Sequence, residues 1–408
     1  MSRVLQRLVI SISLLLLAFP FPASSDVVTD TCSRTTAVIA GARLPTPIGN
    51  RAAALAQTAI YEAVNAITRK YPSGRFNIKA NAGDSIEAAV ASANHAVLLK
   101  LIPVQKDAIE AEYVRAIAAI ADGAKKAAGI SVGEQSAVEV MKYRSDDDAF
   151  AVETFRPNTQ PGTYVPTAIP VFSLWSKRRP WAMTSADQFR PGPPPDLKSD
   201  IWARDYNEIK SMGVKTGSKR TDEQTAIASF WETTGGSVYM PVILSVANAG
   251  NREVTQNARL IAMVSQAMDD AVIAVFDAKW AYKFWRPVTA IRNGDIDGND
   301  ATERDPSWVP FIETPMHPEY PCAHCIVAST IGTVLQLELG DTPLPPLSSV
   351  SPTLPGATRR WTTIDGFVRE VSEARICDGV HFRNSTEVAN VMGKKVGELT
   401  FSKFAPPK

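Results

Sequence analysis

Three short segments in the second half of this 408-residue chain concentrate cations, histidines and thiols. The first is KWAYKFWRP, Lys279 to Pro287. At about 100° per residue on a helix, Lys279, Lys283 and Arg286 share one face. Phe276, Trp280, Tyr282, Phe284 and Trp285 surround them and predict a buried segment. Burying aromatic area beside unpaired charge is costly, so the cations call for an anionic partner. That partner is either a bound anion or a nearby acid such as Asp269, Asp270 or Asp277. The second segment is YPCAHC, Tyr320 to Cys325, ahead of the helix-like run IVASTIGTVLQLEL. Pro321 suits a first helical turn, which sets the amides of Cys322, Ala323 and His324 at a helix N-terminus, where free N–H groups and the helix dipole favour an anion. His324 would face that anion. A CxxC also reads as a redox or zinc motif, but no second CxxC and no thioredoxin-like pattern accompanies it. The third segment is EARICDGVHFRNS, Glu373 to Ser385. Arg375 and His381 fall on different faces of an unbroken helix, and the pair Asp378, Gly379 is a natural break that lets them converge. A guanidinium fork beside an imidazole suits an oxyanion. The alternative is that Arg375 pairs with Glu373 or Asp378 and His381 merely packs. His317, seven residues before His324, is separated from it by Pro318 and Pro321, so no helical geometry relates the two.

The rest of the chain must position these groups, and its signals are mainly helical. Leu55, Ala59, Ile60, Ala63, Val64 and Ile67 recur at helical spacing, as do Ile109, Tyr113, Ile117 and Ile120. Asp84 with Glu87, Ser131 with Glu134, and Thr221 with Gln224 have capping-box spacing and predict helix starts near 85, 132 and 222. Helices are expected from about Ile201 to Met212, Thr221 to Trp231 and Arg252 to Trp285. With alternating strand patterns scarce, the expected fold class is all-α, a helical bundle with long Pro-rich loops. One such loop runs from Ser145 to Asp200, and its Phe172, Trp175, Trp181 and Phe189 predict a packed excursion. Another spans Pro343 to Pro355.

Met1 to Ser25 carries Arg3 and Arg7, then an apolar run from Leu8 to Phe19, then Ala23, Ser24 and Ser25, which reads as a cleaved signal peptide; the alternative is an uncleaved membrane anchor, for which the apolar run falls short of the ~20 residues that span a bilayer. The expected organisation is therefore a signal peptide over 1–25, an N-terminal helical region with the Pro-rich excursion over 26–200, and a C-terminal helical region carrying the oxyanion site over 201–408. The two regions are expected to form one compact unit, secreted or periplasmic. A formal charge of +1 implies no nucleic-acid surface and no membrane surface once the leader is removed. Cys32 stands apart, whereas Cys322, Cys325 and Cys377 lie within the motifs. A convergent pocket should bring Cys377 near one of the other two, close enough to bridge. His95 reads as structural, and the acidic loop Asn293 to Asp305 lacks calcium-loop spacing and reads as a solvated turn. There is no GxSxG elbow, Walker loop, Rossmann fingerprint or HExxH.

Taken in order, Lys279 with Arg286, Pro321 to His324, and Arg375 with His381 resemble the three-part signature KxxxxxxRP, PSGH, SRxxxxxHxxxD. This is the signature of the superfamily of vanadium-dependent haloperoxidases and type 2 phosphatidic acid phosphatases. RAAALAQTAIYEAVNAI and DQFRPGPPP look like its haloperoxidase branch. The resemblance implies vanadate as cofactor, with phosphate able to occupy the same site. Lys279, Arg286 and Arg375, helped by the Cys322 and Ala323 backbone, would hold the anion's oxygens. His381 would be the vanadium ligand, or a phosphorylated nucleophile in a phosphatase. His324 would serve as acid–base, and His317 would tune halide choice. The implied partners are hydrogen peroxide and halide or, in the alternative acid phosphatase, small phosphate esters; a homo-oligomer is compatible with either. The chain departs from the signature at four positions. PSGH is PCAH, Ala374 precedes Arg375, and the final aspartate is Ser385, leaving no carboxylate behind His381.

Overall fold

The computed structural model describes residues 25–72, 74–147 and 154–404. Of the leader expected over Met1 to Ser25, all but Ser25 lies outside the described residues. The elements in the first half are α1 (Val27–Gly41), α2 (Thr46–Thr68), α3 (Ile86–Leu101), α4 (Lys106–Ala118) and α5 (Ala124–Tyr143). The second half contributes α6 (Asp200–Met212), α7 (Asp222–Phe230), α8 (Gly236–Ala247), α9 (Val254–Tyr282), α10 (Pro287–Arg292), α11 (Ala323–Leu339), α12 (Ile364–Cys377) and α13 (Arg383–Phe404). Among the described residues the architecture is all-α apart from one antiparallel hairpin, β1 (Leu347–Val350) with β2 (Thr358–Trp361), in which Leu347 faces Trp361. That hairpin begins inside the stretch expected to be a plain loop. Four-residue strands are too short for alternation to be read from sequence.

Helix α9 is the axle. It is buried almost throughout, from Thr255 to Trp280, which is the pattern of a helix surrounded by others rather than one with a wet face. α2 packs along it from the N-terminal half, and α11 and α13 from the C-terminal half. One apolar core joins residues of both halves, from Leu55 and Ile60 to Ile273, Ile331 and Val396. α11 and α13 approach very closely. A Cβ on Gly393 would stand 2.4 Å from the Ile326 carbonyl oxygen, so only glycine fits there.

Capping explains the helix starts. Thr221 caps α7 with the expected reciprocal box. Ser85, rather than Asp84, caps α3. The start expected near 132 does not exist, because α5 runs through it. Ser131 and Glu134 are exposed on that helix, where the spacing of a capping box is also that of two ordinary surface neighbours.

The Pro-rich excursion is packed, and acids of α9 hold it. Asp269 accepts from Arg178 Nη1 at 2.6 Å and from Trp181 Nε1 at 2.9 Å. Asp270 takes the amides of Trp181, Ala182 and Met183. Further on, Tyr164 N donates to Lys283 O at 2.6 Å and Trp285 N to Gly162 O at 3.0 Å, pinning the chain just after α9. The acidic loop closes on itself: Asp297 accepts from Trp202 Nε1, Asn299 N and Thr302 Oγ1. His95 stacks on Tyr113 with ring centres 4.1 Å apart and contacts Glu110, a structural role.

Candidate active site

Lys279 lies in the last turn of α9, and its side chain is fully buried. The helix then stops. Lys283 adopts φ 50° as the C-cap and points to solvent, so it does not join the cationic face expected of an unbroken helix. Arg286 returns to the site by another route, as the N-cap of the short helix α10, whose first residue is Pro287. The acids that offered an alternative explanation are committed elsewhere. Asp269 and Asp270 hold the excursion, and Asp277 pairs with Arg190. Lys279 Nζ instead donates to the carbonyls of Pro318 and Glu319, at 2.9 and 2.7 Å. Burial, reinforced by Arg286, pushes the Lys279 ammonium well below its ordinary value; burial also brings Arg286 down to about 10. Among the described residues neither group makes an ion pair with an acid at hydrogen-bond distance, and Glu319 is the carboxylate nearest in effect to both.

Arg375 comes from the last turn of α12, and His381 follows the break after it. Asp378 ends the helix and Gly379 takes φ 86°, so the expected turn is present and both side chains come near Arg286. Arg375 Nη1 donates to Trp231 O at 2.7 Å and lies 2.6 Å from Asp378 Oδ2. Its Nε has no hydrogen-bond partner among the described residues although it is buried. Glu373, the other acid considered for Arg375, pairs with Arg383.

His381 is not left without a carboxylate. Its Nδ1 lies 2.7 Å from Glu319 Oε1, which also accepts the Phe382 amide at 3.0 Å. Its Nε2 lies 3.2 Å from Arg286 Nη1. A guanidinium can only donate, so Nε2 is the accepting nitrogen, and the ring proton on Nδ1 is donated to Glu319. The lone pair of Nε2 therefore faces the cations. Burial first, then Arg286 and Lys279, holds the imidazole well below its ordinary pKa and keeps it neutral. Burial lifts Glu319 to about 7, with Lys279, Arg286 and the Phe382 amide opposing the rise. Sequence reasoning missed Glu319 because it looked for the carboxylate at Ser385. That hydroxyl is only 3.4 Å from Nδ1 and secondary to Glu319. The available signal was an acid inside the proline-flanked run Pro318 to Pro321.

Helix α11 supplies the opposite wall. Its N-cap is Cys322, and the helix begins at Ala323, two residues later than a Pro321 start would give. The Cys322 amide is already donated to Ser385 O at 3.2 Å and is not available to an anion. The Ala323 and His324 amides have no partner among the described residues and sit at the positive end of the helix. His324 Nε2 is 3.3 Å from Thr233 O, and burial, with Arg375 next, keeps its ring neutral. His317 Nδ1 is 3.0 Å from Arg286 Nη2, with its ring edge-on to Phe276. A cavity of about 190 Å³ lies against His317 and Ala323, lined also by Phe276, Phe172, Asn50 and Thr234. A larger cavity, about 390 Å³, lies between α1, α3 and α4, but both its arginines, Arg34 and Arg115, are already paired with Glu112. Among the described residues no cluster of His, Cys, Asp and Glu could hold a metal ion directly.

Residues 259–406 match the VCPO second helical-bundle domain. The match begins within α9 and takes in Lys279, Arg286, His324, Arg375 and His381. Over these residues the chain is similar to the second helical-bundle domain of vanadium chloroperoxidase. The vanadium chloroperoxidase of Curvularia inaequalis is 25% identical over 235 residues, covering 48% of this chain and 37% of that one. The alignment thus spans little more than a third of that relative. Among solved structures, the first bacterial vanadium-dependent iodoperoxidase superposes with a TM-score of 0.80 at 22% identity, covering 94% of this chain and 98% of the other. A holo-type bacterial vanadium-dependent chloroperoxidase gives 0.73 at 16% identity, covering 88% and 93%. Lys279, Arg286, Arg375, His317, His324 and His381 lie close together in this fold, whereas Lys283 points to solvent and the Cys322 amide is taken by Ser385.

The cysteines differ from expectation. All four are free, and the sulfur contact is Cys325 with Cys322, not with Cys377. Cys377 ends α12 beside Arg220, which donates to its carbonyl, and its charged neighbours are Glu373, Asp378 and Glu208.

Proposed function

We propose that this chain is a vanadate-dependent haloperoxidase that uses hydrogen peroxide to oxidise halide. The observation that carries the reading is the pairing of a buried cation clamp, Lys279, Arg286 and Arg375, with an imidazole whose Nε2 lone pair is aimed at it by Glu319. The unpartnered Arg375 Nε and the free amides of Ala323 and His324 are donors suited to the oxygens of a tetrahedral oxyanion. Vanadate would be held at its oxygens by these donors and at its metal by His381 Nε2. Once bound, it would supply Lewis-acid activation of peroxide without a change in oxidation state. His324, neutral and at the helix start, would take the peroxide proton as general base. His317, on the cavity wall, would set the polarity met by the halide.

An acid phosphatase acting through a phosphohistidine is the second reading, and Glu319 is the observation that favours it. A carboxylate behind His381 would support an imidazolium, which Ser385 alone could not. The same protein tests both: vanadate loading followed by peroxide with bromide or iodide, beside phosphomonoester hydrolysis without vanadate. Halide oxidation with negligible hydrolysis is the expected result; robust hydrolysis with no halide oxidation would promote the phosphatase. Export is part of the proposal and rests on the leader sequence. It is supported by the Asp26-capped start of α1 just after the expected cleavage point.

A further inference from the structure

The dithiol at the start of α11 has no part in halide oxidation as set out above. Cys322 and Cys325 are both fully buried and both free. Their sulfurs are 2.7 Å apart, and the Cys325 amide also approaches Cys322 Sγ, at 3.4 Å. One sulfur caps the helix and the other lies one turn in, so both project to the same side, within the reach of a bridge.

Their surroundings divide the labour. Burial pushes the Cys322 thiol up, but the Cys325 thiol hydrogen bond, Arg375, the Cys325 amide and Lys279 outweigh it, leaving Cys322 below its ordinary value. Burial, then the hydrogen bond to Cys322 and its charge, holds Cys325 well above. Cys322 is thus the more acidic thiol of the pair, suited to attack first, with Cys325 placed to resolve. Cys32 and Cys377 lack it: burial pushes each up to about 12, with Glu373 and Asp378 adding to the rise at Cys377.

We propose that Cys322 and Cys325 form a peroxide-reactive dithiol beside the oxyanion clamp, a modification site at which hydrogen peroxide converts the pair into an intramolecular disulfide. The proposal rests on the peroxide-using reading above, which supplies the oxidant, and the cavity beside His317 reaches Ala323, the residue next to Cys322. The Cys322 thiolate sulfur attacks one peroxide oxygen; the S–O bond forms, the O–O bond breaks, and the departing hydroxide takes a proton to become water. The Cys325 sulfur, giving up its proton, then attacks the sulfur of the resulting sulfenic acid. The S–S bond forms, the S–O bond breaks, and the second hydroxide leaves as water with that proton. One peroxide is reduced to two waters while two thiols are oxidised to one disulfide.

The test uses wild-type protein, reduced with dithiothreitol, freed of reductant and vanadate, and exposed to one equivalent of hydrogen peroxide. Denaturing alkylation and non-reducing peptide mapping then locate the thiols. The expected result is the loss of two thiols per peroxide, a Cys322–Cys325 link, intact Cys32 and Cys377, and full recovery on reduction. In Cys325→Ser the link is lost, and Cys322 is trapped by dimedone as the sulfenic acid. Alkylation of all four thiols after peroxide, or oxidation spread over Cys32 and Cys377 without the link, would overturn the proposal. Because neither vanadate nor halide is present, that failure leaves the halide-oxidising reading standing. Link formation in a protein that oxidises no halide would overturn that reading alone.

Discussion

At the scale of single residues, the site depends on which group sits behind His381. Glu319 accepts its Nδ1 proton and the Phe382 amide from a fully buried position, so it fixes both the tautomer and the ring plane. Glu319→Gln keeps the size and an acceptor but removes the charge. Vanadate affinity, read by equilibrium dialysis, is expected to fall about 10-fold, the lower end of such outer-shell effects, with the fold retained. The family signature suggests the opposite repair, an aspartate at 385, but the structure argues against it. Ser385 is buried, and a carboxylate there would face Glu319 across the same nitrogen. Ser385→Asp is therefore expected to lower the midpoint of urea unfolding and to leave phosphomonoester hydrolysis no higher than in wild type. The identities of Lys279, Arg286, Arg375, His324 and His381 were legible because a linear motif names residues one by one. Glu319 was not, because its partner is 62 residues away in sequence and only the fold brings them together.

The elements that make this convergence possible are the ends of helices more than their lengths. Helix periodicity made α2 and α9 legible, but not the stop at Tyr282 or the late start of α11, both set by neighbouring chain. Tyr164 and Trp285 bond across that stop, and Ser385 O captures the Cys322 amide. The break after α12 was legible, since Asp378 and Gly379 are turn residues on local grounds alone. Gly379 has φ 86°, and a Cβ there would meet Gly213 O at 2.4 Å and Pro310 Cβ at 2.9 Å. Gly379→Ala is expected to lose about 1–3 kcal/mol in urea unfolding, and more if the Gly213 contact cannot relax. It should also lower halide turnover, because Gly379 sets the path from Arg375 to His381.

The whole molecule ties the site to the N-terminal half through α9, whose N-terminal end packs on α2 and whose last turn carries Lys279. A half-buried acid on α2 makes the stability of the N-terminal half testable by pH. Burial, opposed by Arg75, raises Glu62 from 4.5 to about 7. In this window the folded state holds a proton that the unfolded state has released. Stability from this group is thus complete below about pH 4.5 and is lost as pH rises through 7. Glu62→Gln is expected to gain on the order of 2 kcal/mol relative to wild type at pH 8, and almost nothing at pH 4.5, by urea unfolding at the two values. The all-α class was legible at this scale, whereas the role of Asp269 and Asp270 as anchors of the excursion was not, since their partners lie 87 to 91 residues earlier. The central claim is that the cation clamp and His381 together make a vanadate site that oxidises halide. Its most direct test is a titration of the vanadate-free protein with vanadate, following peroxide-dependent oxidation of iodide or bromide, with His381→Ala alongside. The account predicts a rate that rises from near zero, saturates at one vanadate per chain, is suppressed by competing phosphate and is absent in His381→Ala. A rate independent of vanadate, or an equal one in His381→Ala, would contradict it.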